Sequence, residues 1–201
     1  MRNVKYISLL FGVAGAVFLA FVILFSHNAA LAPQREPLPI LGQAPKIALT
    51  SQEDASFDSA LLADKVWIAD FFFTSCAGPC PIMSAAISKI QLAFPTEQRL
   101  HFVSISVDPE TDTPERLRAY GEKYAANFER WHFLTGPIEE ISRLAVDGFK
   151  VGSVDQPIIH STRFILVDQQ GQIRGYYTGT DDLEVLEMER AIQQLLTGAP
   201  A

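Results

Sequence analysis

Cys76 and Cys80 are the only cysteines of the chain, and Ala77-Gly78-Pro79 separates them. Gly and Pro form turns, so this loop folds back and brings two thiols together. A thiolate is the nucleophile of disulfide exchange and also the soft ligand that selects Cu(I). The pair is therefore a candidate redox dithiol and a candidate metal site. A structural bridge is a poor explanation, because closing so short a loop restrains little chain and adds little stability. Two unrelated buried cysteines are the remaining alternative, and their position on either side of a turn argues against it. Cys80 precedes Pro81, which biases it away from the helical region and puts it near a helix N-cap. Free N–H groups and the positive end of the helix dipole are expected to favour thiolate at Cys80.

The elements that must carry this loop read as alternating strands and helices. Val66 to Phe73 is a β-rich apolar run, suited to a strand buried on both faces. The aromatic run Phe71–Phe73 belongs to the core. Ile82 to Phe94 has a helical pattern with Met83, Ile87, Ile90 and Phe94 on one face, which makes Met83 a core residue. Leu100 to Val107 is a second buried strand. Asp112-Thr113-Pro114-Glu115 starts a helix to about Tyr124, with a capping residue, a first-turn proline and an acid. Trp131–Leu134 reads as a strand and Pro137–Phe149 as a helix. Thr162–Val167 and Gln172–Thr178 flank the hairpin turn Asp168-Gln169-Gln170-Gly171. Asp181 or Asp182 caps a last helix to about Leu196, followed by Gly198. The order β-α-β-α-β-α-β-β-α predicts an α/β, thioredoxin-like fold, with helices flanking a central mixed sheet. His27, His101 and His132 have no partner spacing and are read as structural. Asp108, at a strand end, is read as a turn residue.

The N-terminus predicts export. Tyr6 to Phe25 is a 20-residue run without a charged side chain. A helix of that length spans ~30 Å, the thickness of a bilayer core. Arg2 and Lys5 precede it, so the positive-inside tendency leaves the N-terminus in the cytoplasm and the rest in a periplasm-like space. The competing reading is a signal peptide cleaved near Ala30-Leu31-Ala32, which exports the domain equally. The expected organisation is a transmembrane anchor over 1–26, a Pro-rich linker over 27–45 and one domain over 46–198. A bacterial-type inner membrane with a single pass is the expected location. The formal charge of −7 gives no basic footprint for nucleic acid.

Four segments together resemble one family. Phe72-Phe73-Thr74-Ser75-Cys76-Ala77-Gly78-Pro79-Cys80-Pro81 is similar to the F-T-x-C-x-x-x-C-P motif of the Sco/SenC family. Ser104 to Pro114 resembles its S-V-D-P-x-x-D-T-P segment, Phe133-Leu134-Thr135-Gly136 its L-T-G, and Ile159-His160-Ser161-Thr162 its D-H-[ST] segment. The resemblance covers about residues 40–197. It implies one copper ion, Cu(I) or Cu(II), held by Cys76, Cys80 and His160 on a thioredoxin-like fold. It also implies assembly of the dinuclear copper centre of cytochrome c oxidase, by delivering copper, reducing its cysteines, or both. Two departures stand out. Ile159 replaces the Asp usual before the histidine, removing an outer carboxylate that would tune His160. The loop C-A-G-P-C-P also lacks the proline that commonly follows the first cysteine.

The rival function is an exported thiol–disulfide reductase, which needs Cys76 and Cys80 but not His160. A thioredoxin proper would show C-x-x-C and a proline before the later strand, where this chain has Ser161-Thr162-Arg163. A peroxidase would need a P-x-x-x-T-x-x-C pattern that is absent here, and a purely structural domain gives no reason for the two thiols.

Overall fold

Every residue from Val66 to Phe72 is buried, so this run must lie at the centre of a sheet covered on both sides. A computed structural model describes residues 18–22, 36–152 and 161–198. It has eight strands: β1 Gly42–Gln43, β2 Ala48–Ser51, β3 Ser56–Asp58, β4 Val66–Phe72, β5 Leu100–Ser106, β6 Trp131–Thr135, β7 Arg163–Val167 and β8 Gln172–Thr178. They form one sheet in the order β1-β8-β7-β4-β5-β6-β2-β3. β4 pairs in parallel with β5, from Val66↔Leu100 to Phe72↔Ser106, and β5 in parallel with β6. β7 joins the other side of β4 antiparallel and continues into β8 through a hairpin. Parallel crossovers followed by an antiparallel hairpin is the arrangement expected from the sequence. Gly171 takes φ +74 in the hairpin turn, a conformation that costs a residue with a Cβ and costs glycine little.

Alternation along β4 divides the core in two. Val66, Ile68 and Phe72 face one cluster, with Met83, Ile87, Phe102, Trp131, Phe133 and Met188. Trp67, Ala69 and Phe71 face the other, with Val103, Ile105, Leu144 and Phe149. The first cluster lies under α1 Pro79–Ala93, α2 Pro114–Lys123 and α4 Asp182–Thr197. The second lies under α3 Ile138–Arg143, which widens into a π turn over Leu144–Gly148. Phe149 then packs edge-on against Trp67 and Phe71, with ring centroids 6.1 and 5.9 Å away. Asp181 caps α4 by accepting from Leu183 N and Glu184 N, and Gly198 follows the helix.

The N-terminal part of the domain differs from expectation. Chain contacts divide the molecule into Met1–Pro37 and Leu38–Ala201. Residues 38–45, which their prolines assign to a linker, belong to the second unit. There β1 pairs with β8, and the Leu38 carbonyl accepts a 2.6 Å hydrogen bond from buried Arg174. Proline fixes φ but does not prevent edge pairing by its neighbours. The expected span Tyr6–Phe25 lies outside the described residues except for 18–22, which are helical and exposed. Among the described residues, no helix is long and apolar enough to cross a membrane. His27 also lies outside them.

His101 and His132 meet on the second face of the sheet. Their ring nitrogens Nδ1 and Nε2 are 3.3 Å apart, and Phe57 packs on His132. Burial pushes His132 down to about 4, aided by the neighbouring His101, and burial also lowers His101. The unfolded chain takes up these protons as pH falls below ~6.5, whereas the folded chain resists, His132 until about 4. The pair therefore contributes stability at neutral pH that is lost as pH falls through this window. We expect His132→Phe to flatten the acid limb of stability against pH by up to about one proton. Denaturant unfolding at stepped pH checks it. The comparison must be made between variants, because Asp70 has the opposite sign: its folded pKa is raised to about 7, so its contribution fades as pH rises.

Candidate metal centre

β4 ends at Phe72, and seven residues later the chain enters α1 at Pro79. The Cys76 N–H donates to the Phe73 carbonyl at 3.2 Å, closing a tight turn before the first thiol. Gly78 is the N-cap of α1 and has no side chain to cap it, and Pro79 and Pro81 lack N–H groups. The first-turn donors that remain turn to sulfur: the N–H groups of Gly78 and Cys80 donate to the Cys76 sulfur. The thiol of Cys80 also hydrogen-bonds to Cys76. Both cysteines are free thiols, and both are buried at the rim of the first core cluster.

This geometry corrects the expected site of thiolate. Burial acts to raise Cys76, but the bonds from the Cys80 thiol and from the two backbone N–H groups outweigh it, so the pKa of Cys76 is lowered. Burial pushes Cys80 up to about 12, and its bond to Cys76 adds to the effect. The helix start thus favours charge on the sulfur that caps it, not on the cysteine inside its first turn. When the pair carries one negative charge, that charge is favoured on Cys76, and Cys80 stays a thiol. The two residues are also less exposed than the turn between them suggests.

Asp70 was legible only as one residue of a buried strand. Strand alternation puts it on the same face as Phe72 and Ile68, beneath the dithiol. Ser104 Oγ donates to its Oδ1 at 2.6 Å, and Trp131 Nε1 donates to that same Ser104 at 3.0 Å. Oδ2 has no hydrogen-bond partner among the described residues. Burial, only partly offset by Ser104, raises Asp70 to about 7, and its negative charge helps to raise Cys80. An acid within an otherwise apolar strand was the signal.

Met83 is buried in the core, one turn after Cys80. Asp108 is a turn residue: its carbonyl accepts from Thr111 N and Asp112 N. Of the two candidate caps of α2, Thr113 does the capping: its Oγ1 accepts from Arg116 N. His160 and Ile159 lie outside the described residues. Just beyond them, the Thr162 carbonyl accepts from Gly179 N at 2.7 Å. A Cβ on Gly179 would come within 3.0 Å of Met83 Cγ. Among the described residues, no third His, Cys, Asp or Glu joins the thiols in a metal-sized group.

Comparison with known proteins decides the family. The SCO1/SenC family model matches residues 43–197, most of the chain. The chain belongs to the SCO1/SenC family. The SCO1 protein homolog of Bacillus subtilis (strain 168) is 30% identical over 167 residues, covering 80% of this chain and 86% of that protein. The structure of BsSco, described as a member of the Sco family of cytochrome c oxidase assembly proteins with a disulfide switch, has TM-score 0.71. It is 28% identical and covers 82% of this chain and all of that one. Arabidopsis thaliana ScoI, solved with copper bound, is 26% identical with TM-score 0.60, covering 75% and 98% of the two chains. These SCO1/SenC structures share the thioredoxin-like α/β fold found here. Copper-bound Sco structures also fit the donor chemistry of a free dithiol at a helix start.

Proposed function

We propose that this SCO1/SenC protein binds one copper ion through Cys76, Cys80 and His160, and serves the assembly of the dinuclear copper centre of cytochrome c oxidase. The observation that carries the reading is the pair of free, hydrogen-bonded thiols at the start of α1. Copper is the cargo. Two soft sulfurs and an imidazole suit both of its common oxidation states, and buried thiols shield it from water. Cys76 is the readier of the two to lose its proton to an arriving ion, whereas Cys80 must give up a proton it holds more tightly. Copper uptake therefore releases protons, and affinity rises with pH. The placement of Gly179 supports the histidine: its N–H bonds to the Thr162 carbonyl, two residues after His160, and a Cβ on it would come 3.0 Å from Met83 Cγ of α1. An N-terminal transmembrane segment holding the domain on the periplasmic side of a bacterial inner membrane completes the proposal. It rests on the run Tyr6–Phe25 and on Arg2 and Lys5 before it.

The second reading is an exported reductase, favoured by the lowering of the Cys76 pKa relative to that of Cys80. In it, the Cys76 thiolate attacks a target disulfide. Cys80 then displaces the target's second sulfur, closing Cys76–Cys80 as two electrons pass to the target's two cysteines. His160→Ala separates the two readings. We expect it to weaken copper binding by at least ~100-fold, beyond what loss of an outer-shell group does, while leaving thiol–disulfide exchange within about two-fold. Copper titration of the reduced protein and exchange with a small disulfide, run side by side, check it. Full copper affinity in the variant would remove His160 from the site and favour the reductase.

A further inference from the structure

The segment Ser104 to Pro114 carries a motif to which neither reading gives work, and its buried acid does not do what its position suggests. Asp112 directly precedes the cap of α2, yet Thr113 does the capping. The Asp112 carboxylate is fully buried and turns away from the helix toward the loop that bears Cys76. Thr74, two residues before Cys76, donates to it twice: its N–H reaches Oδ2 at 2.9 Å and its Oγ1 reaches Oδ1 at 2.5 Å. Ser106 Oγ adds a third bond to Oδ2 at 2.6 Å.

This carboxylate is itself held in place. Ser106 is the last residue of β5 and pairs with Phe72, the last residue of β4. The Val107 N–H donates to the Phe72 carbonyl at 2.8 Å. Ser106 Oγ accepts from Asp108 N at 3.1 Å, and the Asp108 carbonyl accepts from Asp112 N at 2.8 Å. A short hydrogen-bonded route thus runs from the rigid β4–β5 ladder to the Asp112 carboxylate and on to Thr74. Charge-assisted bonds are stronger than neutral ones, and a buried carboxylate tolerates little departure from its donors. Beyond Thr74, among the described residues, the Cys76 N–H bond to the Phe73 carbonyl closes the turn before the Cys76 sulfur.

We propose that Asp112 is a positioning residue for the dithiol: by clamping Thr74 it sets where the Cys76 sulfur sits relative to Cys80. The inference rests on the dithiol being the working site and deepens that reading. Asp112 touches neither sulfur, so its effect passes through Thr74. A clamp on one thiol of a pair fixes the separation of the two sulfurs. That separation governs both the fit of a shared metal ion and the ease of closing a disulfide.

The test uses the full chain with Thr74→Val, Thr74→Ser and Asp112→Asn. Valine keeps the shape and the backbone donor but deletes the hydroxyl, and serine restores it. The readouts are the Cu(II)–thiolate charge-transfer band, copper affinity by competition, and the Cys76–Cys80 reduction potential against glutathione. Unfolding midpoints run beside them. We expect Thr74→Val to weaken copper binding by ~10–100-fold and to shift the band, and Thr74→Ser to return both toward wild type. Asp112→Asn should act in the same direction, and Thr74→Val keeps the test valid if that variant does not fold. Lower unfolding midpoints with an unmoved band, affinity and potential would overturn the proposal and leave Asp112 a structural residue. If the wild-type protein takes up no copper, the copper reading fails alone. The clamp is then judged by the potential, which must move in Thr74→Val and recover in Thr74→Ser.

Discussion

Cys80→Ser is expected to abolish tight copper binding, with a loss well beyond the ~10–100-fold that follows removal of an outer-shell partner. The change replaces a soft, polarisable sulfur with a hard hydroxyl that does not ionise at any relevant pH. Cys80 is buried at the rim of the core, so no bulk ligand replaces the lost sulfur at the same place. The fold has little reason to suffer. Serine is smaller than cysteine, and its hydroxyl can still donate to the Cys76 sulfur as the thiol does. Cys76→Ser should lose as much copper affinity with little change in stability, because the serine hydroxyl can still accept from the Gly78 and Cys80 N–H groups. Competition against a Cu(I) chelator measures the first effect, and urea unfolding measures the second. A Cys80→Ser variant that still holds one copper at wild-type affinity would take Cys80 out of the site.

Trp131→Ala is expected to give the largest loss of stability, ~3–5 kcal/mol from the cavity it leaves. Trp131 is completely buried, stacks against Phe133 with ring centroids 4.9 Å apart, and leans on Phe102 at 6.0 Å. Its indole N–H also supports Ser104, which in turn supports Asp70. Truncation therefore removes apolar volume and loosens the one hydroxyl that bonds a buried carboxyl. A loss of this size is a large share of the ~5–15 kcal/mol that holds a typical domain together. For a domain of this length it corresponds to a melting point lower by roughly 6–20 °C. Trp131→Phe keeps most of the bulk and loses the donor, so its cost should be about 1 kcal/mol. Equal unfolding midpoints for Trp131→Ala and wild type would show that the first cluster does not hold the sheet as described.

What could be seen in the sequence followed the strength of the local pattern. β4, β5 and the β7–β8 hairpin were visible because each is a long apolar run bounded by turn residues, and their observed ends lie within a residue of expectation. β1, β2 and β3 were not visible. They have two to four residues each, and their pairing with β8 and β6 is a long-range property that no local pattern encodes. The dithiol was legible as two thiols at a helix start, but its charge distribution was not. Proximity to the dipole pointed to Cys80, whereas the direction of two N–H groups decided for Cys76. Asp112 and Thr113 both stood where a helix cap is expected, and the sequence did not choose between them. Only the fold brings Thr74, 38 positions away, within reach of its carboxylate. Asp70 carried a signal of another kind: a charge amid apolar neighbours on a buried strand, which costs stability unless something uses or neutralises it.

The copper site itself is tested most directly by X-ray absorption at the copper edge of the fully reduced protein carrying one equivalent of Cu(I). Two sulfur neighbours and one imidazole nitrogen, with the nitrogen contribution lost in His160→Ala, is the expected result. A copper shell of sulfur alone, or a nitrogen signal unchanged by that substitution, would contradict the site proposed for Cys76, Cys80 and His160.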